Sequence, residues 1–188
     1  MISHTSSPGT DDRGIDTLPA RRLLLTILLA WLAMLGFDFF LHAGLLARLY
    51  LDPSPFLLAP LESFRRLPIG YLSFLLSAAL LVWLMVRLRL AGWRAGLGFG
   101  LKLGALVWGA VTLGLFSIST ADASLLAGWF LGQTVELALA GAVAGSALTG
   151  RSIGKLSLKV AALVLLLAVV TVALQSFGLA PAAGIPRG

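Results

Sequence analysis

The chain has no cysteine in 188 residues, so disulfides, thiolate nucleophiles and thiolate metal sites are all excluded. Its imidazoles number two, His4 and His42. Charge is also scarce: only 12% of residues are Asp, Glu, Lys or Arg, against roughly a quarter in an ordinary soluble domain. No Ser/His/Asp arrangement, HExxH, DDxxD-like box or Gly-Lys phosphate loop occurs, so no established reaction class is signalled; whether the chain is an enzyme stays open, with the balance leaning against it. The formal charge of +6 comes from short basic clusters flanking apolar runs. That placement is topological, and nothing resembles a nucleic-acid-binding motif.

What the chain does contain is apolar surface, at 59% of residues. A hydrocarbon layer roughly 30 Å thick needs about 20 apolar residues per helix, and the sequence supplies five such stretches, at about 22–46, 68–86, 96–116, 123–147 and 156–177. The class that follows is all-α, an integral membrane bundle of about five transmembrane helices within residues 21–178. Residues 1–20 are rich in Ser, Thr, Gly, Pro and Asp and read as a flexible cytoplasmic tail; residues 179–188 form a short C-terminal tail. The first run continues past Asp38 without a small-residue cleavage pattern, so it reads as a retained helix and not a signal peptide. Between the first two runs, LDPSPFLLAPLESFRR carries three prolines and is expected to lie along the membrane surface.

Basic residues resist translocation. With five spans, Arg13, Arg21, Arg22, Arg87, Arg89, Arg94, Arg151, Lys155 and Lys159 collect on one side, and Arg48, Arg65, Arg66 and Arg187 on the other. The N-terminus is therefore expected in the cytoplasm and the C-terminus outside. Glu62, Arg65 and Arg66 read as headgroup anchors, and Trp93, Tyr50 and Tyr71 as interfacial rings. No internal repeat suggests an inverted-repeat carrier.

Helix three carries Gly92, Gly96, Gly100 and Gly104 at steps of four, which align on one side and let another backbone approach. Helix four answers with Gly128 and Gly132, followed by Ala140 on the same row. The pattern predicts tight packing of helices three and four, with a homodimer or other membrane-protein partner through the same stripe as the sharper alternative. Helix five, with KVAALVLLLAVVTVAL, is nearly featureless and is expected to face lipid.

Four residues stand out as ligand or proton-site candidates. Glu136 continues the Gly128–Gly132 row at mid-membrane, where a charge costs at least roughly 2.5–3.5 kcal/mol and needs a partner, water or a proton. Gln133 is one turn away. Asp38 and His42, four residues apart, share a face of helix one and can interact directly, as a proton relay or as a packing pair. Asp38, His42 and Glu136 are suitable metal ligands by type, but one membrane histidine at a different depth makes a weak set, and neither a metal nor a cofactor is expected. Lys102 is read as snorkelling to headgroups, with an ion pair to Glu136 as the alternative.

The string FDFFLHAGLLARLY, a second helix opening with Tyr71, a Gly-rich third helix and GWFLGQTVELALAG in the fourth resemble small bacterial polytopic inner-membrane families of unknown function. The resemblance covers roughly residues 25–150, with Glu136 where such families more often carry Asp. It implies a four- or five-helix bundle in a bacterial inner membrane and carries no activity with it. Three functions remain open: a polar intramembrane cavity that binds or moves a small polar solute or protons, an accessory subunit packing through its Gly-rich faces, and a lipid-modifying membrane enzyme using Asp38 or Glu136 as acid or base.

Overall fold

In the computed structural model, described over residues 19–51, 54–150 and 152–181, five helices are long and apolar enough to cross a membrane. They are α1 (Ala20–Phe40), α2 (Pro60–Arg87), α3 (Trp93–Ile118), α4 (Ala123–Leu148) and α5 (Ile153–Ser176). The shortest, α1, has 21 residues and is about 32 Å long, enough to cross a roughly 30 Å hydrocarbon layer. The protein is thus an all-α, multi-pass membrane bundle. His4, Arg13, Arg151 and Arg187 lie outside the described residues.

Helix ends follow local chemistry. The Asp122 carboxylate caps α4, accepting from the backbone N–H of Ser124 at 2.8 Å and of Leu125 at 3.3 Å. At the other end of α4, Arg22 of α1 donates to the Ala147 carbonyl at 2.8 Å, placing a cation on the negative pole of the helix. Helix α5 closes with Gly178 at φ +68°, a left-handed position that glycine adopts without penalty. Arg48 donates to the Gly178 and Leu179 carbonyls beyond it.

Two expectations change. Helix α2 starts at Pro60, not near residue 68, so Glu62, Arg65 and Arg66 are helical and exposed, and Arg66 pairs with Glu62 one turn back. Pro60 is preorganised for a helix start, and Pro68 is accommodated inside the helix; the irregular connection is correspondingly shorter. The second change is the end of α1, where residues 41–45 (LHAGL) widen into a π-helical turn, followed by a 3-10 turn at Ala47–Tyr50. A π turn leaves carbonyls without their usual donors, and the Gln175 side chain of α5 donates to one of them, Ala43 O, at 3.0 Å.

Helix α4 lies at the centre. Against it α3 packs backbone to backbone: a Cβ at Gly96 would lie 2.0 Å from the Gly141 carbonyl oxygen, and one at Gly100 would lie 2.2 Å from that of Leu137. The Gly92 N–H even donates across the interface to Gly145 O, at 2.9 Å. Such contact replaces the hydrophobic driving force that lipid does not supply. The glycine row of α3 therefore meets Thr134, Leu137, Ala138, Gly141 and Gly145 of α4. Gly128 and Gly132 face the other way, toward α1, receiving Leu46 and Leu41. The expected match of Gly128 and Gly132 to α3 is corrected accordingly, because the two α4 rows point to different neighbours. Met34, Leu81, Val82 and Met85 fill the core between α1, α2 and α4, while α3 and α5 lie at the periphery with mostly exposed flanks.

Candidate functional site

At the end of the bundle where α1 unwinds into the π turn, four polar or aromatic side chains gather into one hydrogen-bonded chain. His42 Nε2 lies 3.2 Å from Asp38 Oδ1, His42 Nδ1 lies 2.5 Å from the Tyr50 hydroxyl, and the Trp129 indole of α4 donates to that hydroxyl at 2.7 Å. Indole N–H is only a donor, so the Tyr50 oxygen accepts from Trp129, while the direction of its bond with His42 Nδ1 depends on the imidazole tautomer. A proton on Nε2 is within reach of the Asp38 carboxyl. The chain links the connection after α1 to the buried carboxyl of Asp38. The Tyr50 hydroxyl is pushed up to about 12, first by burial, with the Trp129 bond opposing and the Asp38 charge adding to the rise. Phe56, from the connection between α1 and α2, closes over the Trp129 ring at 6.1 Å between centroids.

Deeper in the bundle is Glu136. Its side chain is fully buried at 0% exposure, and neither carboxyl oxygen has a hydrogen-bond partner. Gln133, one turn earlier, comes near without reaching hydrogen-bond geometry, and Asp38 lies within electrostatic range. Thr134 Oγ1 beside it is also buried and unpartnered. Lys102 is exposed, so it forms no ion pair with Glu136. The antiparallel register brings the two carboxyl-bearing helices together: Leu41 fills the space over Gly132, and Leu46 that over Gly128, which sets Asp38 opposite the next turn of α4.

Beside these groups a cavity of about 220 Å³ opens between α1, α2, α3 and α4. His42, Gln133, Ser73 and Ser77 supply its polar wall, and Trp108, Trp129 and Phe74 its aromatic one. Of the four candidates read from sequence, His42 and Gln133 line the cavity, while Asp38 and Glu136 stand behind them. Among the described residues no three His, Asp or Glu side chains cluster closely enough to hold a metal ion.

Tyr50, Trp129, Ser73 and Ser77 carry no sequence motif. Tyr50 reads as an interfacial anchor from its position, and the signal that it does more is the π turn, which only the fold exposes. Gln175, in the otherwise featureless helix five, donates to the π turn that follows α1. The chain matches no protein-family model, no curated protein and no solved structure.

Proposed function

We propose that the cavity flanked by Asp38, His42, Gln133 and Glu136 binds or moves a small polar solute or protons. One observation carries the reading: a fully buried mid-membrane carboxyl with both oxygens unpartnered. An architectural acid gains nothing from that state, since an unsatisfied buried group costs about 1–3 kcal/mol. A group that exchanges a proton or a cation needs its oxygens free. The inward chain from Tyr50 through His42 to Asp38 supplies a route between the outer loop and the interior. In this reading the protein belongs to a bacterial inner membrane, with the N-terminus cytoplasmic and the C-terminus outside. The clustering of Arg21, Arg22, Arg87, Arg89, Arg94, Lys155 and Lys159 near one set of helix ends supports that orientation.

The Gly-rich faces that an accessory subunit would offer a partner are filled within the chain by α3–α4 and α1–α4 contacts. The test is reconstitution into liposomes holding a pH-sensitive dye, under an imposed potential and with a panel of small solutes outside. Wild-type protein is expected to carry flux that Asp38→Asn and Glu136→Gln reduce at least about tenfold, in line with loss of an intramembrane relay group. Wild-type liposomes indistinguishable from protein-free ones for every solute and for protons would remove the reading.

A further inference from the structure

A second cavity, of about 210 Å³, lies where α3, α4 and α5 come together. Val143 and Val160 are buried in it, whereas every other lining residue is half-buried or exposed, so it is a groove in the outer surface of the bundle and not an enclosed chamber. It starts at Trp93, the first residue of α3, and reaches Leu139 of α4 and Leu163 of α5. At roughly 1.5 Å per residue, Leu163 lies about 15 Å along α5 from its start at Ile153, half the depth of a roughly 30 Å hydrocarbon layer. The groove therefore follows one leaflet of the membrane, and lipid is what its open side meets.

Its wall is apolar except toward the helix ends, where Trp93, Ser146 and Lys159 line it. The Ser146 hydroxyl is spent on Ala142 O, at 2.8 Å. Among the described residues, Lys159 makes no ion pair and the Trp93 N–H no hydrogen bond. Lys155 stands one turn before Lys159 on the same face of α5, and the Arg94 guanidinium lies 5.1 Å from the centre of the Trp93 ring. No carboxylate answers these three cations: of the described acids, Asp38, Glu62 and Asp122 lie toward the opposite helix ends, and Glu136 is fully buried. An ammonium about 9 Å inside the start of a helix is at ease when its stem lies along apolar surface and its head reaches a phosphate in the headgroup layer. Unanswered cations above and an apolar groove below call for a molecule that joins a phosphate to a hydrocarbon chain. A choline head would add a fourth cation at an end with no carboxylate, whereas a lipid of net negative charge fits.

We propose that the groove between α3, α4 and α5 is a binding site for an anionic phospholipid, with the phosphate at Lys159, Lys155 and Arg94 and an acyl chain along Leu139, Leu156 and Leu163. The site shares no lining residue with the cavity beside His42 and does not depend on flux through it. Full-length protein in a mild non-ionic detergent, titrated with dioleoylphosphatidylglycerol and followed by native mass spectrometry, provides the test. Dioleoylphosphatidylcholine, dioleoylglycerol and inorganic phosphate are the comparison ligands. The glycerol lipid is expected to saturate and to bind at least about tenfold tighter than the choline lipid, while dioleoylglycerol and phosphate give no saturable binding. Lys159→Gln is expected to weaken its binding at least about threefold, and Arg65→Gln, which removes a cation from the opposite end of the bundle, to leave it unchanged. Ala142→Leu fills the groove and keeps every cation, and is expected to weaken both phospholipids at least about threefold by displacing the chain; if it does not fold, Leu163→Asn takes its place. Equal affinity for the two phospholipids, saturable binding of phosphate or dioleoylglycerol alone, a Lys159→Gln protein that binds like Arg65→Gln, or unchanged binding in the groove variant would overturn the proposal.

Discussion

Substituting Gly100 by alanine adds one methyl group to α3 at the place where that helix lies closest to α4. The new Cβ would stand 2.2 Å from the Leu137 carbonyl oxygen, 2.9 Å from its carbon and 3.0 Å from the Ala138 Cα. All three are backbone atoms of a central helix, so no rotamer change relieves the overlap. The helices must separate by about 1 Å to restore van der Waals contact, and the neighbouring Gly96 and Gly104 contacts loosen with them. Overpacking a well-filled core costs about 1–3 kcal/mol, and a backbone-on-backbone clash belongs at or above the upper end. Gly98 and Gly114 lie on the same helix with nothing within 4 Å of the added Cβ. At those positions alanine brings only its better helix propensity, up to about 1 kcal/mol. Reversible unfolding in mixed micelles, followed by circular dichroism, is expected to show Gly100→Ala destabilised by about 3 kcal/mol and Gly98→Ala and Gly114→Ala neutral or slightly stabilised. If Gly100→Ala unfolds together with Gly98→Ala, the close α3–α4 approach is refuted.

Three further outcomes follow from the helix ends and the Tyr50 network. Arg22→Ala leaves the Ala147 carbonyl without its charged donor and is expected to cost about 1.5–3 kcal/mol in the same unfolding assay, the range for a hydrogen bond from a charged group. The carboxyl of Asp122 is held below the usual carboxylate range, first by the Ser124 side chain and then by the backbone N–H groups of Ser124 and Leu125; its stabilising cap is present above about pH 4 and fades as pH falls through the lowered value, so Asp122→Ala should lower the melting temperature at neutral pH and lose that acid dependence. For Tyr50 the sign is opposite. Its hydroxyl, raised to about 12 in the folded protein, contributes fully below its ordinary value of about 10 and less as pH climbs toward 12, so alkaline titration should destabilise wild type over that window more than Tyr50→Phe.

Much of the architecture can be read in the sequence because membrane helices announce themselves by length and hydropathy. Helix α2 is the exception, since Pro60, Glu62, Arg65 and Arg66 interrupt the apolar signal although the backbone there is already helical. The i, i+4 spacing of Asp38 and His42 foretells their contact, and the row through Gly128, Gly132 and Glu136 marks the acid as inward-facing. Which neighbour each row meets is a tertiary matter: spacing alone does not distinguish the α4 face toward α1 from the one, through Gly141 and Gly145, that α3 occupies. The bridge from Tyr50 to Trp129 joins residues 79 apart and depends on a π turn that no apolar periodicity encodes.

In the function proposed above, Glu136 serves exchange with a ligand or proton and does not hold the bundle together. Replacing it with glutamine, which preserves shape and removes the charge, and measuring unfolding stability and liposome flux on the same preparation tests this most directly. The account predicts stability equal to or above wild type with flux reduced at least about tenfold, as expected when an intramembrane ionisable group is functional. A Glu136→Gln protein that loses stability yet, where folded, carries wild-type flux would contradict it.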